Sequence, residues 1–431
     1  MQSVQSTLLA RRPLARASTA IAVVLAVIAA LALALGVDRP ARANSSTLNQ
    51  ITDFGSNPGS LGMYGYEPAG LAQGAPLVVA LHGCTQSASD YYTNSGWPKY
   101  ADLYGFAMIF PQQSSLTSPI DYCFDWGTPS DDSRSEGEAE SIYQMIQYAE
   151  TNWGVNPKQI YITGLSAGAG MTADMLADYP DVFAGGSIDS GPAAQCSTSG
   201  IYDTNCTSGT TSNTVAQWGA LIKNSDSGYS GTYPRVAIWQ GSADTTVNPA
   251  ELTYNMDGWT NVWGVGQTPS STQTLTGGTT ENIYTTSSGT AAVATFMVSG
   301  MTHGVAVNPG SATNQCGSTG TYYQNYICSS YYTLQFWGLG SGSTASATAS
   351  ASPTATATAS ASPTASASPT STYTPQCFTD NNYNQVAAGR AYTSGGYTYA
   401  DGSAQNMGLY NLYVTTTLKE TSSGYYVIGT C

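Results

Sequence analysis

The sequence predicts an α/β fold with a mainly parallel sheet, followed by a linker and a small β-rich domain. Between residues 44 and 340, short apolar runs alternate with helix-like stretches, as in buried parallel strands joined by helices. Residues 341–372 contain only Ser, Thr, Ala, Pro and Gly and cannot form a core, so they are predicted to be a linker. Residues 373–431 combine tyrosine-rich runs with turn residues, which favours short strands. In the large domain the clearest strands are predicted at 76–81, 106–110, 159–163, 235–240 and 294–298.

The composition excludes several classes of protein. Of the 431 residues only 9% are charged, and the formal net charge is −14. An acidic chain that is poor in lysine and arginine is not a nucleic-acid binder. It also lacks the charged residues that a coiled coil needs. A weakly charged surface rich in tyrosine and glycine is common among secreted proteins that act on insoluble polymers.

Residues 1–43 are predicted to be a signal peptide. Three arginines between residues 11 and 16 form a basic leader, residues 20–37 carry no charge, and Ala41-Arg42-Ala43 fits a signal-peptidase site. The alternative is an uncleaved membrane anchor, because an apolar stretch of about 18 residues can just span a bilayer. We expect a secreted, extracellular protein that makes no membrane contact once its signal is removed.

The eight cysteines predict disulfides rather than a metal site. Both domains contain an even number of cysteines. The sequence has no CxxC pair, the spacing that would indicate zinc or redox chemistry. Spacing favours two local bridges in the large domain, which leaves its other two cysteines for each other. A bridge between the ends of the small domain would stabilise it by roughly 4 kcal/mol. The candidate pairs are Cys84–Cys123, Cys196–Cys206, Cys316–Cys328 and Cys377–Cys431.

A serine at the end of a buried strand is the candidate nucleophile. Gly164-Leu165-Ser166-Ala167-Gly168 is a G-x-S-x-G pentapeptide that follows the predicted strand 159–163 and precedes a helix-like stretch at 170–176. Strand, glycine turn and helix are the context that a nucleophile elbow requires. The glycines allow the sharp turn that would expose the Ser166 hydroxyl.

Two histidines are available as the general base that such a serine needs. His82 follows the predicted strand 76–81, and His303 follows the predicted strand 294–298. On this type of elbow the nucleophile is followed along the chain first by the acid and then by the histidine, so His303 is the expected base. His82 is expected to lie in a loop whose backbone supplies one oxyanion donor.

The acid is expected between the serine and the histidine in the chain. Asp244 is preferred because it lies in the loop that leaves the predicted strand 235–240, and catalytic groups gather at that edge of α/β sheets. It would hold the histidine ring, and the N–H groups of Cys84 and Ala167 would bind the oxyanion. The rival carboxylates are Asp189, Asp226 and Asp257.

These segments resemble the esterase family of polyhydroxybutyrate depolymerases, which also includes feruloyl and acetylxylan esterases. The similarity spans most of residues 50–340. It implies an α/β-hydrolase fold with three layers, αβα, and the same triad and oxyanion hole. The resemblance also supports a disulfide between Cys84 and Cys123. The matching segments are 81–86, 121–126, 155–157, 164–172, 241–247 and 300–303.

The small domain, residues 373–431, is similar to the substrate-binding domain of extracellular polyhydroxyalkanoate depolymerases. Its strands are predicted at 412–415 and 424–428, and some of its tyrosines are expected to form a flat polymer-binding face while others pack in the core. Gln385 departs from that domain, which has a histidine there. Similar modules also follow esterases acting on plant polymers. The matching segments are 382–383, 388–392, 402–403, 406–409 and 424–431.

The sequence therefore predicts a secreted serine esterase that hydrolyses an insoluble polymer, a polyhydroxyalkanoate such as poly(3-hydroxybutyrate), through an acyl-serine intermediate. The alternative substrates are feruloyl or acetyl esters of plant cell-wall polysaccharide. A non-catalytic polymer-binding adhesin is the hypothesis from another class, and the intact serine, acid and histidine argue against it. We expect no metal or organic cofactor, no nucleic-acid partner and a monomer. The residues that bind substrate are not assigned.

Overall fold

Contacts divide the chain into two units, Met1–Ala347 and Thr348–Cys431. The predicted signal peptide, the predicted linker and Cys431 lie outside the described residues, so these predictions stay untested. Within the described part of the chain, no helix is both long and apolar enough to cross a membrane. The computed structural model describes residues 47–114, 122–201, 203–340, 376–394, 397–403, 405–409, 414–422 and 425–429.

A ten-stranded sheet is the centre of the first unit. In space the strand order is β1-β2-β4-β3-β5-β6-β7-β10-β9-β8. Six neighbouring strands, β4, β3, β5, β6, β7 and β10, pair in parallel. The strands outside them, β1 and β2 on one side and β9 and β8 on the other, pair antiparallel. The prediction of a mainly parallel sheet is confirmed. The strands are β1 (Asn49–Ile51), β2 (Gly62–Tyr66), β3 (Leu77–Leu81), β4 (Ala107–Gln112), β5 (Ile160–Leu165), β6 (Phe183–Asp189), β7 (Arg235–Gly241), β8 (Ser271–Leu275), β9 (Thr279–Thr285) and β10 (Ala291–Val298).

Helices cover both faces of this sheet. They are α1 (Ala88–Asn94), α2 (Trp97–Tyr104), α3 (Pro129–Asp132), α4 (Gly137–Trp153), α5 (Ala167–Asp178), α6 (Val215–Ser225), α7 (Ala250–Trp263) and α8 (Ser329–Trp337). A short parallel pair, β11 (Val305–Val307) and β12 (Tyr323–Asn325), lies outside the main sheet.

The central strand β3 shows why the fold has three layers. Its side chains alternate between two cores, since successive residues of a strand point to opposite faces. Leu77, Val79 and Leu81 belong to the core that also contains residues of α4, α5, α6 and α7. Val78 and Ala80 belong to the core that also contains residues of α1, α2 and α8. All five are fully buried, so a continuous apolar run, rather than an alternating one, is what this position requires. The predicted αβα arrangement is confirmed.

The second unit is small and β-rich, as predicted. One sheet has the order β13-β17-β18 and the other β14-β15-β16, and its small core contains Ala391, Ala400, Met407 and Leu418. The predicted strand 424–428 corresponds to β18, whereas residues 412–413 of the predicted strand 412–415 lie outside the described residues and Thr415 begins β17. The elements are β13 (Gln376–Asn381), α9 (Asn382–Ala387), β14 (Ala391–Ser394), β15 (Tyr397–Ala400), β16 (Asn406–Leu409), β17 (Thr415–Ser422) and β18 (Tyr425–Ile428).

Gln385 has a structural role in this unit. Its side chain is fully buried, and its Nε2 donates to the carbonyl oxygens of Phe378 and Thr416, each at 2.9 Å. Its Oε1 accepts a hydrogen bond from Arg390 Nε at 2.6 Å. The amide therefore ties α9 to β13 and β17, and it supplies both the donors and the acceptor that a buried polar group needs there.

Three predicted disulfides are present in the first unit. The bridges are Cys84–Cys123, Cys196–Cys206 and Cys316–Cys328. The paired cysteines are separated by 39, 10 and 12 positions in the sequence, respectively. The predicted partner of Cys377 lies outside the described residues, so the fourth bridge stays a prediction.

Buried carboxyl groups make the stability of the first unit depend on pH. Burial raises the pKa of Asp132 and Asp189 to about 7, and that of Asp178 and Glu251 to about 8. A carboxyl group whose pKa is higher in the folded than in the unfolded chain contributes stability at low pH, and this contribution is lost as pH rises through the folded pKa.

We therefore expect the melting temperature to be higher at about pH 6.5 than at about pH 9, since the four carboxyl groups ionise over this interval. Calorimetry across the interval measures the effect. The Asp178→Asn variant should show a shallower fall than the wild type, because it has one fewer proton to release. A melting temperature that stays constant or increases towards pH 9 would contradict this prediction.

Candidate active site

Ser166 lies at the sharp turn between β5 and α5. Its backbone has φ +57° and ψ −119°, a conformation that costs a non-glycine residue of order 1–3 kcal/mol and that is concentrated at functional sites. A Cβ on Gly164 would collide with the carbonyl oxygen of Gly168. The strand β5 and the helix α5 can approach this closely only because residue 164 is a glycine. The predicted strand–turn–helix context is therefore present.

The amide N–H of Ala167 is available at this turn. Ala167 is the first residue of α5, and the N–H groups in the first turn of a helix have no partner within the helix. Ala169 and Gly170 donate to the Ser166 carbonyl at 2.9 Å, but no hydrogen bond among the described residues uses the Ala167 N–H. A free N–H at a helix N-terminus favours an anion.

Asp244 and His303 are hydrogen-bonded to each other. Asp244 follows β7, His303 follows β10, and His303 Nδ1 lies 2.8 Å from Asp244 Oδ2. The carboxylate is buried, and its Oδ1 accepts the N–H groups of Thr246 and Val247, each at 2.9 Å. Its Oδ2 also accepts Gln240 Nε2 at 3.0 Å. Four donors therefore hold this carboxylate in one orientation.

The rival carboxylates lie elsewhere. Asp189 accepts the Ser187 hydroxyl at 2.7 Å, and Asp226 lies 3.4 Å from Arg134. Asp257 is on α7. Of the four candidates named from the sequence, Asp244 is the one that the structure brings to His303.

The turn at Ser166 and the loop of His303 meet at one edge of the sheet. The Ser166 N–H donates to the carbonyl oxygen of Asp189 at 3.1 Å, and the next residue, Ser190, donates its hydroxyl to the Gly304 carbonyl at 3.0 Å. The described residues contain no hydrogen bond between Ser166 Oγ and the His303 ring. Such bonds are often long or poorly aligned before substrate binds, so this absence does not exclude His303 as the base.

The loop after β3 packs against the same turn. A Cβ on Gly168 would collide with the His82 carbonyl oxygen, and one on Gly83 would lie 3.3 Å from the Leu165 oxygen. Cys84 follows in this loop, and its side chain is bridged to Cys123. No hydrogen bond among the described residues uses the Cys84 N–H. The structure therefore brings the loop that carries this N–H to the turn that carries the Ala167 N–H.

His82 is fully buried in this loop. Its ring packs on Phe124 at 4.9 Å between ring centroids, and its Nδ1 lies 2.8 Å from the Gly83 carbonyl oxygen. Burial lowers the pKa of the ring to about 4, so the ring is neutral near neutral pH. The sequence assigned a role only to the backbone of this loop, and the ring contacts were not foreseen.

Two further side chains contact the site without having been predicted. Gln240 supports Asp244, and Tyr322 packs edge-on against His303, with 6.2 Å between ring centroids and 79° between ring planes. The position of Gln240 at the end of a predicted strand was a usable signal. No signal in the sequence marked Tyr322, because its contact with His303 depends on the tertiary packing of two separate loops.

Comparison with known proteins identifies the family. Residues 61–263 match the family described as Esterase PHB depolymerase. The chain is also 43% identical over 293 residues to the poly(3-hydroxyalkanoate) depolymerase C of Paucimonas lemoignei, covering 68% of this chain and 70% of that protein. The chain belongs to the esterase PHB depolymerase family. The esterase is thus a carboxylic ester hydrolase, which decides against the non-catalytic adhesin.

Other relatives are named for plant esters. The esterase is 36% identical over 247 residues to feruloyl esterase B of Talaromyces stipitatus, covering 56% of this chain and 68% of that protein. It is 34% identical over 265 residues to an acetylxylan esterase of Coprinopsis cinerea, covering 60% of this chain and 69% of that protein. The solved acetyl xylan esterase from Aspergillus awamori superposes with a TM-score of 0.57 at 28% identity, covering 68% of this chain and 99% of that one. The α/β-hydrolase fold and the resemblance inferred from the motifs are confirmed.

Proposed function

We propose that the esterase is secreted and hydrolyses an insoluble polyester, a poly(3-hydroxyalkanoate), through an acyl intermediate on Ser166. The observation that carries the proposal is the hydrogen-bonded Asp244–His303 pair at the sheet edge where Ser166 occupies a strained turn. A serine hydroxyl is a weak nucleophile, and a neighbouring base that is itself oriented by a carboxylate is what activates it.

In acylation, Asp244 holds the Nδ1–H tautomer of His303, so Nε2 is free to accept a proton. Ser166 Oγ attacks the ester carbonyl carbon while its proton passes to His303 Nε2. The carbonyl oxygen becomes an oxyanion, which the N–H groups of Cys84 and Ala167 bind. When the tetrahedral intermediate collapses, the C–O bond breaks and the alcohol leaves with the proton from His303.

In deacylation, a water molecule takes the place of the alcohol. His303 removes a proton from the water as it attacks the acyl carbonyl carbon, and the same two N–H groups bind the second oxyanion. Collapse returns the proton to Ser166 Oγ and releases the carboxylic acid. No step needs a metal ion or an organic cofactor, because the reaction moves only protons and one acyl group.

The comparisons support a polyester as the substrate. The Paucimonas lemoignei depolymerase matches 68% of this chain at 43% identity, whereas the Talaromyces stipitatus feruloyl esterase matches 56% at 36%. The second unit also suits an uncharged polymer. Tyr392 is 42% exposed and stacks on Tyr399 with 5.6 Å between ring centroids, which presents an aromatic surface with a polar edge.

The three bridges of the first unit support secretion, since disulfides persist in oxidising compartments. The basic leader and apolar stretch of residues 1–43 agree with export. We infer that residues 373–431 hold the esterase on the polymer while the first unit cleaves it, with the segment 341–372 as a linker between them.

The substrate is tested by offering the purified esterase three esters, two polymeric and one of low molecular mass. We expect release of soluble 3-hydroxybutyrate from poly(3-hydroxybutyrate) particles, with little turnover of methyl ferulate or acetylated xylan. The Tyr392→Ala variant should release less product from particles but hydrolyse a soluble ester at the wild-type rate. Turnover of only the plant-type esters would overturn the polyester proposal and favour the alternative that the feruloyl and acetylxylan relatives support.

A further inference from the structure

We propose that Gln324 is a positioning residue for the catalytic histidine: its side-chain amide holds the backbone of the His303 loop so that the ring stays within reach of Ser166. The inference rests on the proposed function, since it takes His303 as the base. It adds a side chain that neither the motifs nor the comparisons assign.

The two ends of the loop that carries the histidine are held by other segments. Residues 299–304 join β10 to β11. The Ala243 N–H donates to the Met301 carbonyl oxygen at 2.9 Å, and the Ser190 hydroxyl donates to the Gly304 carbonyl oxygen at 3.0 Å. Gly304 has φ +154°, and glycine adopts many backbone conformations, so sterics alone do not fix the chain beside the histidine. The middle of the loop therefore needs a further support.

Gln324 supplies that support. Its Nε2 donates to the His303 carbonyl oxygen at 3.0 Å, and its Oε1 accepts the Thr302 N–H at 3.2 Å and the Thr302 hydroxyl at 3.0 Å. A backbone N–H can only donate, so the amide oxygen must face Thr302 and the amide nitrogen must face His303. Within the described part of the chain, the backbone of these two residues forms hydrogen bonds with Gln324 alone.

The amide and Asp244 hold the histidine at opposite ends. Asp244 binds the ring at Nδ1, and Gln324 binds the backbone carbonyl. With the ring bond alone, the imidazole would be free to rotate about Nδ1 and to carry Nε2 away from Ser166 Oγ. A second bond at the backbone removes that freedom, so Nε2 keeps one position relative to the nucleophile.

The strand β12, which carries Gln324, is itself fixed, as a positioning side chain requires. It pairs in parallel with β11, and the Val305 N–H donates to the Tyr322 carbonyl oxygen at 2.8 Å. The segment around β12 is closed by the bridge between Cys316 and Cys328, both of which are buried. The amide therefore acts from a rigid support.

Two substitutions of Gln324 and one matched control separate positioning from stability. Gln324→Met keeps the length of the side chain but removes its donor and its acceptor. Gln324→Glu keeps an acceptor for Thr302 but has no donor for the His303 carbonyl. Tyr326→Phe is the control, because the Tyr326 hydroxyl donates to the Gly300 carbonyl oxygen at 2.9 Å and so joins the same segment to the same loop away from the histidine.

A hydrogen bond that only stabilises the loop would affect unfolding alone, whereas one that positions the base affects proton transfer in the transition state. The test uses the full-length esterase and a soluble p-nitrophenyl ester, with kcat expressed per active site titrated by an organophosphate. We expect both Gln324 variants to lower kcat by about 30-fold with KM changed less than about twofold, since small displacements of a catalytic group are costly. Tyr326→Phe should keep kcat within about twofold of the wild type. Melting temperatures report the structural contribution separately.

The ring can also be observed directly, because the chain contains only two histidines. In protein labelled with nitrogen-15 histidine, the proton on His303 Nδ1 that is bonded to Asp244 should give a resonance far downfield. We expect this resonance to be broadened or lost in Gln324→Met, where the ring exchanges between positions, and unchanged in Tyr326→Phe. The buried ring of His82 is the internal reference. A loss of stability alone would not move the His303 resonance in the folded protein.

A kcat per titrated site in Gln324→Met within about fivefold of the wild type would overturn the proposal, and so would an equal loss in Tyr326→Phe. If Gln324→Met does not fold, Gln324→Glu decides by the same threshold. A wild type that hydrolyses the ester without being titrated at Ser166 would overturn the proposed function. Normal titration of the wild type together with unaffected Gln324 variants would overturn the inference alone.

Discussion

Ser166→Ala is expected to lower kcat for a soluble ester by about 10⁶-fold, because the acyl intermediate cannot form without the hydroxyl. KM should change little, since the hydroxyl contributes to the transition state rather than to ground-state binding. Release of p-nitrophenol from a short-chain p-nitrophenyl ester, followed at high enzyme concentration, measures the loss. The residual rate should come from the oxyanion hole and from substrate binding alone.

Ser135→Ala is the matched control for this substitution. Ser135 also has a positive φ, +69°, but it is exposed and does not contact the site. The two variants therefore make the same chemical change at two positions whose φ is positive. Ser135→Ala should retain wild-type turnover. If Ser166→Ala retained more than about a hundredth of the wild-type kcat, Ser166 would not be the nucleophile.

Asp244→Asn is expected to lower kcat by about 10⁴-fold. The asparagine has one carbonyl oxygen in place of two carboxylate oxygens, and the Thr246 and Val247 N–H groups already require an acceptor. The amide NH₂ would then face His303 Nδ1, which favours the tautomer with its proton on Nε2. That tautomer cannot accept the proton of Ser166.

The loss in Asp244→Asn should become smaller as pH is raised, because hydroxide can then replace the missing base. Asp257→Asn is the control, since Asp257 is a half-buried rival on α7 without a bond to His303. Its kcat should match the wild type from about pH 6 to about pH 9. An Asp257→Asn variant that is inactive beside an active Asp244→Asn variant would contradict the assignment of the acid.

The parts of the fold that the sequence predicted are those with strong local signals. Leu77–Leu81 is an uninterrupted apolar run because both faces of β3 are covered, and such a run is visible without a structure. The turn at Ser166 was visible for a related reason, since Gly164 is required by a backbone contact with Gly168, only four residues further along the chain. Asp244 was favoured because it directly follows a buried strand.

The parts that were not predicted depend on contacts between distant residues or on weak patterns. The edge strand β8 reads Ser-Thr-Gln-Thr-Leu and is mostly exposed, so no apolar periodicity marks it. The His82 ring meets the Gln113 N–H across 31 residues. The position of Tyr322 against His303 likewise follows from tertiary packing. Composition and spacing do not encode such pairs.

The most direct test of a Ser166-dependent esterase is covalent trapping. The purified esterase is inactivated with diethyl p-nitrophenyl phosphate, and mass spectrometry locates the phosphoryl group on its peptides. We predict one group per chain, on Ser166, in proportion to the loss of ester hydrolysis, and no labelling of Ser166→Ala. Full inactivation with the label on another residue, or full activity with Ser166 labelled, would contradict the mechanism.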